Sequence, residues 1–476
     1  MDRLLRYLPN MPGRFGATPA MTEKTVTDPR EWSQSKRLLV TTIICIYTFV
    51  VYLGSTLCLG MYTSFIIRYH VTLMSASLTM ALYVAGYGLG AILLSPLSEV
   101  SSIGRNPPYL ITFSLFVATT LGLCYADTFA LLLAPRFLQG FFGFPALATG
   151  GGSLADIYHM PELPFAFTAW VGAATCGPAF GPAISIYGVT AYGYKWPMWF
   201  LFWLSLGCLA LMLIALPETY SSTIFYKANK TTIPVPSEEN LLETAGHHHR
   251  PRNILIASVM IVWKPLRIMF TNPAIFFANF YTCLIYAIYY SFFESFPHVY
   301  LNVYGFTFQH FSLTFLAICI GTVIGILLYL PWAAWWRRVS RTSVPPPKAE
   351  TCLVPAIPGS ILISLGLFIF AFTTTTVPTH HWSLSLTGVA IQTAGVFIVL
   401  QCLANYLLLA HPHDAASLLA GNDLMRAALA AGAIVFSQPL YEDLGVRNGV
   451  VVLAGATVGC VGGMGGMWGW GHRVRR

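Results

Sequence analysis

Twelve apolar runs, each about as long as a bilayer is thick, recur along the chain at residues 38–60, 73–97, 108–125, 129–153, 165–190, 197–217, 274–300, 308–332, 353–376, 381–409, 415–440 and 447–470. About 20 apolar residues in a helix cross the hydrocarbon core of a membrane. The expected fold is therefore an all-α membrane protein of twelve transmembrane helices in two six-helix halves. A water-soluble fold is excluded on composition as well, since 56% of the 476 residues are apolar and 9% are charged.

The runs divide the chain into a tail at 1–37, a first half at 38–217, a central loop at 218–273, a second half at 274–470 and a short tail at 471–476. Lys and Arg set the orientation. Of the 26 such residues, Arg68, Lys195 and Arg447 fall on one side of the predicted spans, and Arg136 and Arg426 fall inside them. The others lie on the side of the termini. Both termini are thus expected to be cytoplasmic, and the net charge of +8 calls for no nucleic-acid partner. The first run follows a charged leader with no small-residue cleavage site, so it reads as a retained span.

The loop carries PSEEN, the run His247 to His249, and ILIASVMIVWKPLRIMF, which is suited to lying in the membrane interface. The histidines have no Cys or carboxylate at ligand spacing, and no metal site is expected. The ten cysteines sit in or beside apolar runs without a CxxC pair, so neither a disulfide framework nor zinc is expected. The sequon at Asn229 lies on the inner side and is expected to be unused. Six spans, one loop and six more suggest a transporter built by repetition, with its substrate near mid-membrane between the halves.

Ionisable residues inside spans are costly and mark function. Arg136 in APRFLQG stands in the fourth span with Gln139 one turn on. A guanidinium carries no proton at physiological pH, but it can stabilise a nearby carboxylate or hold a substrate oxygen. Glu294 in YYSFFESFPHVY is the carboxylate of the seventh span. Low dielectric favours the neutral form of a carboxyl, so it is a candidate proton carrier, and Pro297 is expected to loosen the helix beyond it. The alternative for Glu294 is a structural hydrogen bond to a neighbouring helix. Asp423 and Arg426 share a helix face at i, i+3, and pairing lowers the cost of burying each, which favours a structural role. Asp156 lies about 30 Å along the same span from Arg136, and is expected beside Glu99 and Arg105 in a latch.

Tyr286, Tyr289, Tyr290 and Phe293 flank Glu294 and are candidate walls for a flat apolar ligand, with Gln392, Gln401 and Asn405 of the tenth span adding sparse hydrogen bonds. Helix packing is the alternative for each of them. No Lys follows a Gly, so a phosphate-binding GK is absent, and no H-E-x-x-H occurs. The chain is expected to be no enzyme, to need no cofactor, and to draw on a gradient rather than on ATP.

The fifth span carries TCGPAFGP. Gly177 and Gly181 lie on one face and allow close helix approach, while Pro178 and Pro182 repeat the spacing and bend the span.

Together these motifs resemble the major facilitator superfamily. SPLSEVSSIGRNPPY (Ser95 to Tyr109) is similar to its loop between spans two and three, RFLQGFFG (Arg136 to Gly143) to its fourth-span Arg motif, and GPAFGP (Gly177 to Pro182) to its fifth-span antiporter motif. LPET (Leu216 to Thr219), FFESFP (Phe292 to Pro297) and GNDLMR (Gly421 to Arg426) resemble the fungal twelve-span drug:proton antiporters, nearest to the fluconazole, benomyl and caffeine resistance branch. The resemblance implies alternating access with proton entry driving export. It makes Glu99, Gly104 and Arg105 the latch motif, Arg136 the proton-coupling residue, and Gly177, Pro178, Gly181 and Pro182 the antiporter motif. Glu99 stands where Asp is usual, Asn106 where a second basic residue is usual, and Lys195 where Arg is commoner.

The expectation is a monomeric plasma-membrane exporter of a small hydrophobic or amphipathic organic compound, a xenobiotic or toxic secondary metabolite, in exchange for protons. The alternatives are a polyamine exporter or nutrient importer of the same architecture, and, from another class, a non-transporting membrane sensor.

Overall fold

The computed structural model describes residues 28–232, 267, 269–343, 348–374, 381–410 and 415–474. The His247–His249 run, PSEEN and nearly all of the interface segment lie outside the described residues, as do the side chains of the sequon. Among the described residues there is no strand.

The helices are α1 (Gln34–Thr56), α2 (Tyr62–Tyr69), α3 (Leu73–Leu94), α4 (Asn106–Cys124), α5 (Phe129–Phe142), α6 (Ala148–Ile157), α7 (Leu163–Tyr192), α8 (Trp196–Ala215) and α9 (Ser221–Thr232). They continue with α10 (Pro273–Phe296), α11 (Phe308–Thr314), α12 (Leu316–Thr342), α13 (Ala356–Thr373), α14 (Trp382–Ala410), α15 (Ala415–Asp443) and α16 (Gly445–Val474). Among the described residues, eleven helical runs are long and apolar enough to cross a membrane, and Phe129–Phe142 is a shorter apolar helix.

Local signals mark several boundaries. Side-chain oxygens of Ser33, Thr72, Thr128, Asn272 and Thr307 accept backbone N–H groups of the first turns of α1, α3, α5, α10 and α11, satisfying donors that have no partner within a helix. Gly193 and Gly445, at φ 95° and 74°, allow the sharp turns after α7 and before α16.

The fourth span differs from the single helix expected over 129–153. It is α5, a 3-10 turn at Phe144–Ala146, and α6. Pro145 has no N–H to give and disfavours the helical conformation of the residue before it, and Gly143 just ahead of it weakens the helix further, so the ladder gives way at this point. The seventh span changes at Pro297, where α10 passes into a π-helical turn, Pro297–Val303. The fifth span, α7, remains a helix of 30 residues through Pro178 and Pro182.

Two sets of helices form the bundle. α1 packs on α7 and α8, α3 on α5, and α4 on α5 and α8; in the second set α13 packs on α14 and α16, α12 on α14, and α10 on α15 and α16. The sets meet where α3 packs on α15 and α7 on α12. Apolar side chains cover the outside as well as the interior: Ile214 is 86% exposed on α8 while Leu201 on the same helix is fully buried. A helix apolar all round suits a lipid surround. The starts of α1 and α7 and the end of α12 share one face, here called the basic face because it carries Arg37, Arg105, Arg337 and Arg341; the opposite face is called distal.

Candidate functional site

A cavity lies between the two sets, on the basic-face side of mid-bundle. Tyr52 of α1, Trp170 and Thr175 of α7, Thr282, Tyr286 and Tyr289 of α10, Val396, Leu400 and Leu407 of α14, and Asn422, Asp423 and Arg426 of α15 line it. The cavity volume is about 70 Å³. The space is a narrow slot with apolar, aromatic walls.

One ion pair interrupts those walls. Arg426 Nη2 lies 2.6 Å from Asp423 Oδ1 and donates to the Tyr52 hydroxyl at 3.3 Å, and its guanidinium stands 4.9 Å from the centroid of the Tyr286 ring. Asp423 Oδ2 and Arg426 Nε are buried and have no hydrogen-bond partner among the described residues. The slot therefore presents one acceptor and one donor side by side to a ligand. Asn422 is committed elsewhere, its Nδ2 donating to Asn279 Oδ1 and Thr282 Oγ1.

Tyrosines close the distal end. The Tyr87 hydroxyl of α3 donates to that of Tyr286 at 3.2 Å, the Tyr290 hydroxyl lies 3.2 Å from Ser55 Oγ of α1, and the Tyr289 hydroxyl donates to the Thr175 carbonyl of α7 at 2.7 Å. Beyond them Phe293 stacks on Phe315, with rings 10° from parallel. Glu294 is buried one turn past Tyr290, with the Tyr62 hydroxyl 3.5 Å from Oε1 and Gln438 of α15 beside it.

Of the residues expected to wall a cavity, Tyr286 and Tyr289 line the slot, and Tyr290 and Phe293 lie distal to it. The amides are placed elsewhere. Gln139 joins Arg136 and Thr120, Gln401 donates to the Pro164 carbonyl at the start of α7, Asn405 donates to the Tyr329 hydroxyl, and Gln392 accepts from Thr393. Each buried amide bonds the nearest available partner, on its own helix for Gln392, on a neighbouring one for Gln401 and Asn405, and on both for Gln139. Asp423 and Arg426 form the i, i+3 pair expected from their spacing, and that pair also stands in the wall of the slot.

Arg136 is fully buried away from the slot. It donates to the carbonyls of Thr79, Gly54 and Ser55, each at 3.0 Å, and to Gln139 Oε1 at 2.8 Å, and it lies over the Tyr83 ring. Gly54 and Ser55 stand where α1 ends in the 3-10 turn Leu57–Met61, so their carbonyls lack regular helical donors. The guanidinium supplies them and ties α1, α3 and α5 together.

On the basic face Arg105 Nε lies 2.5 Å from Asp156 Oδ2. Glu99, half-buried, is within electrostatic reach of both and bonded to neither. Glu218 of the LPET segment was not singled out from the sequence, yet its carboxylate accepts the N–H groups of Arg105, Asn106, Thr219 and Tyr220 at 3.0–3.2 Å. It neutralises the start of α4. Gly104 has φ 84°, and a Cβ there would overlap Glu218 Oε2.

The GPAFGP segment faces α1. A Cβ on Gly177 would stand 2.8 Å from Tyr52 Cβ, and one on Gly181 would overlap Thr56 Oγ1. Pro182 cannot donate to the Pro178 carbonyl four residues back. Thr56 Oγ1 does so from α1, at 2.7 Å. The donor missing at Pro182 is therefore replaced from a neighbouring helix, one turn from the cavity wall at Ala174 and Thr175.

The family profile of the Major Facilitator Superfamily matches residues 44–433. The chain is similar to the "MFS-type transporter pyvG" of Aspergillus violaceofuscus, 37% identical over 452 residues, covering 94% of this chain and 82% of that one. It is also similar to the "Multidrug transporter FLR1" of Candida glabrata, 31% identical and covering 90% of this chain and 76% of that one. The "Cycloheximide resistance protein" of Candida maltosa is 30% identical over 88% of this chain and 76% of its own.

Proposed function

The chain belongs to the Major Facilitator Superfamily, and on that footing we propose that it is an efflux transporter that exports a small hydrophobic or amphipathic organic compound by alternating access, in exchange for protons. It is a multi-pass membrane transporter and not an enzyme. The observation that carries the reading is the slot between the helix sets, aromatic and apolar with a single ion pair. Such walls suit a flat, oily molecule with a few polar atoms. The printed names of relatives, a multidrug transporter and a cycloheximide resistance protein, support a xenobiotic or toxic secondary metabolite as cargo. A polyamine would need carboxylates on the wall. Asp423 is the only acid among the lining residues, and it is paired with Arg426.

The finer parts of the proposal are these. The halves are residues 38–217 and 274–470, joined by a cytoplasmic loop at 218–273; the tails at 1–37 and 471–476 are cytoplasmic; the protein works as a monomer in the plasma membrane. The positive-inside distribution of Lys and Arg supports that orientation. Glu294, with Arg136 holding the end of α1, is the proposed proton-coupling element. Its support is the placement of Glu294 between the tyrosine closure and the distal face, where a proton entering from outside arrives before it meets the cargo. Arg105 with Asp156, Glu99 and Gly104 is the proposed latch, supported by the ion pair at the basic face.

Everted membrane vesicles provide the test. An acid interior is expected to drive uptake of cycloheximide or fluconazole, and a protonophore to abolish it. Absence of gradient-driven uptake across a panel of such compounds would sink the antiport reading.

A further inference from the structure

A second concave site lies at the edge of the bundle on the basic face, apart from the slot. Gln34, Arg37, Leu38 and Thr41 of α1, Tyr158, Glu162, Phe165, Ala166 and Ala169 at the start of α7, and Arg337 and Arg341 of α12 surround it. A groove along Trp335, Arg338 and Thr342 continues from it through Arg337 and Arg341.

The charges in this groove do not balance. Among the described residues Glu162 is its one acid, and both of its oxygens are used: Oε2 lies 3.0 Å from Arg37 Nη1, and Oε1 lies 2.6 Å from Arg341 Nη2. Arg337 has no carboxylate partner among the described residues; its guanidinium lies 4.9 Å from the centroid of the Phe165 ring. Arg37 Nε is buried and has no hydrogen-bond partner among the described residues. Arg337 and Arg341 are one turn apart on the same face of α12, so two guanidinium groups converge from one helix while a third stands opposite on α1.

The height of the groove decides what the excess charge meets. α12 has 27 residues, about 40 Å at 1.5 Å per residue, longer than a hydrocarbon core of about 30 Å. Leu327 and Leu328, 62% and 56% exposed, face lipid two to three turns before the arginines, and Trp335, 48% exposed, sits between. An exposed tryptophan followed by arginines marks the headgroup level. Beside the arginines the wall is apolar, with Leu38 53% exposed, which offers a path for an acyl chain.

We propose that this groove binds the headgroup of an anionic phospholipid, with the phosphate between Arg337 and Arg341 and within reach of Arg37. Arginine suits that chemistry because its planar fork donates two hydrogen bonds to one phosphate. The groove spans the two helix sets, α1 and α7 from the first and α12 from the second. The lipid therefore adds a link across the joint that Glu162 already makes, and favours the arrangement in which the starts of α1 and α7 stay close to the end of α12. The site is independent of the cargo, and its test does not involve transport.

The test titrates short-chain phosphatidylserine into the purified full-length protein in an uncharged detergent, with the unfolding midpoint as readout and short-chain phosphatidylcholine and inorganic phosphate as separate arms. Phosphatidylserine is expected to raise the midpoint saturably, and the other two are not. Removal of positive charge should weaken the apparent affinity about fivefold per arginine, so Arg337→Gln loses about fivefold, Arg337→Gln/Arg341→Gln more, and Arg337→Lys retains most of it. Arg337 makes no ion pair among the described residues, so the single variant keeps the test valid where the double variant fails to fold. The proposal is overturned if phosphatidylserine and phosphatidylcholine act alike, if Arg337→Gln leaves the titration unchanged, or if inorganic phosphate alone reproduces the shift.

Discussion

Replacing Arg426 by Gln is expected to destabilise the protein more than replacing its partner Asp423 by Asn, and the double replacement is expected to be better tolerated than Arg426→Gln alone. The side chains of Asp423 and Arg426 are 6% and 14% exposed, and their closest atoms are 2.6 Å apart. Unit charges near 4 Å attract by about 4 kcal/mol at an effective dielectric of 20, and removing one member of a buried pair costs about 3–5 kcal/mol because the other is left uncompensated. The two single losses are unequal. Without Arg426, Asp423 has no other donor among the described residues, since its Oδ2 is already unpartnered there. Without Asp423, Arg426 keeps the Tyr52 hydroxyl and the Tyr286 ring, and a desolvated contact of that kind with a ring retains about 2 kcal/mol. Arg426→Gln should therefore cost about 4 kcal/mol and Asp423→Asn about 2 kcal/mol. The double variant leaves two neutral groups able to bond each other and should cost about 2–3 kcal/mol. Chemical denaturation of the four purified proteins in one detergent measures the cycle. Additive single effects, or a larger cost for Asp423→Asn, would refute the reasoning that the pair is a coupled, desolvated unit.

Three further outcomes are expected. Gly181→Ala should lower the unfolding midpoint by about 1–3 kcal/mol equivalent, because the new methyl overlaps Thr56 Oγ1 and approaches the Leu53 carbonyl; an unchanged midpoint would show that α1 and α7 separate freely. Thr56→Val keeps the shape but removes the donor to the Pro178 carbonyl, with a cost of about 1–3 kcal/mol, whereas Thr56→Ser should be nearly neutral in the same denaturation assay. Glu294→Gln should abolish the pH dependence of vesicle uptake while the protein still folds; an unaltered pH profile would reduce Glu294 to a structural partner of Tyr62.

The spans were legible because bilayer thickness imposes a run length that hydropathy reads directly. The interruption at Phe144–Ala146 was not, because hydropathy is blind to the missing N–H of Pro145, although the Gly143-Phe144-Pro145 sequence carried the signal. Polar residues inside spans stand out in the sequence, yet their partners are not readable from it. Gln401 reaches the Pro164 carbonyl 237 residues away, and Glu218 reaches Arg105 across 113. The spacing of Asp423 and Arg426 placed them on one face. The direction of that face follows from the close approach of α3 and α15, where a Cβ on Gly88 would stand 2.5 Å from Ala427 Cβ, and no local pattern encodes it.

The tyrosines of α10 bear on how often the distal side can admit anything at all. Tyr286, Tyr289 and Tyr290 each hold a different helix of the first set, namely α3, α7 and α1. All three are carried by one rigid helix, so they cannot be released singly by separating the sets. At about 1 kcal/mol net for each hydrogen bond, their joint release alone costs about 3 kcal/mol, so at most about one molecule in a hundred has the distal side ajar, before the packing of α3 on α15 and of α7 on α12 is counted. Cargo would then act by trapping a rare, spontaneously visited state, and three hydroxyl groups would add a fixed cost to every opening of the distal side.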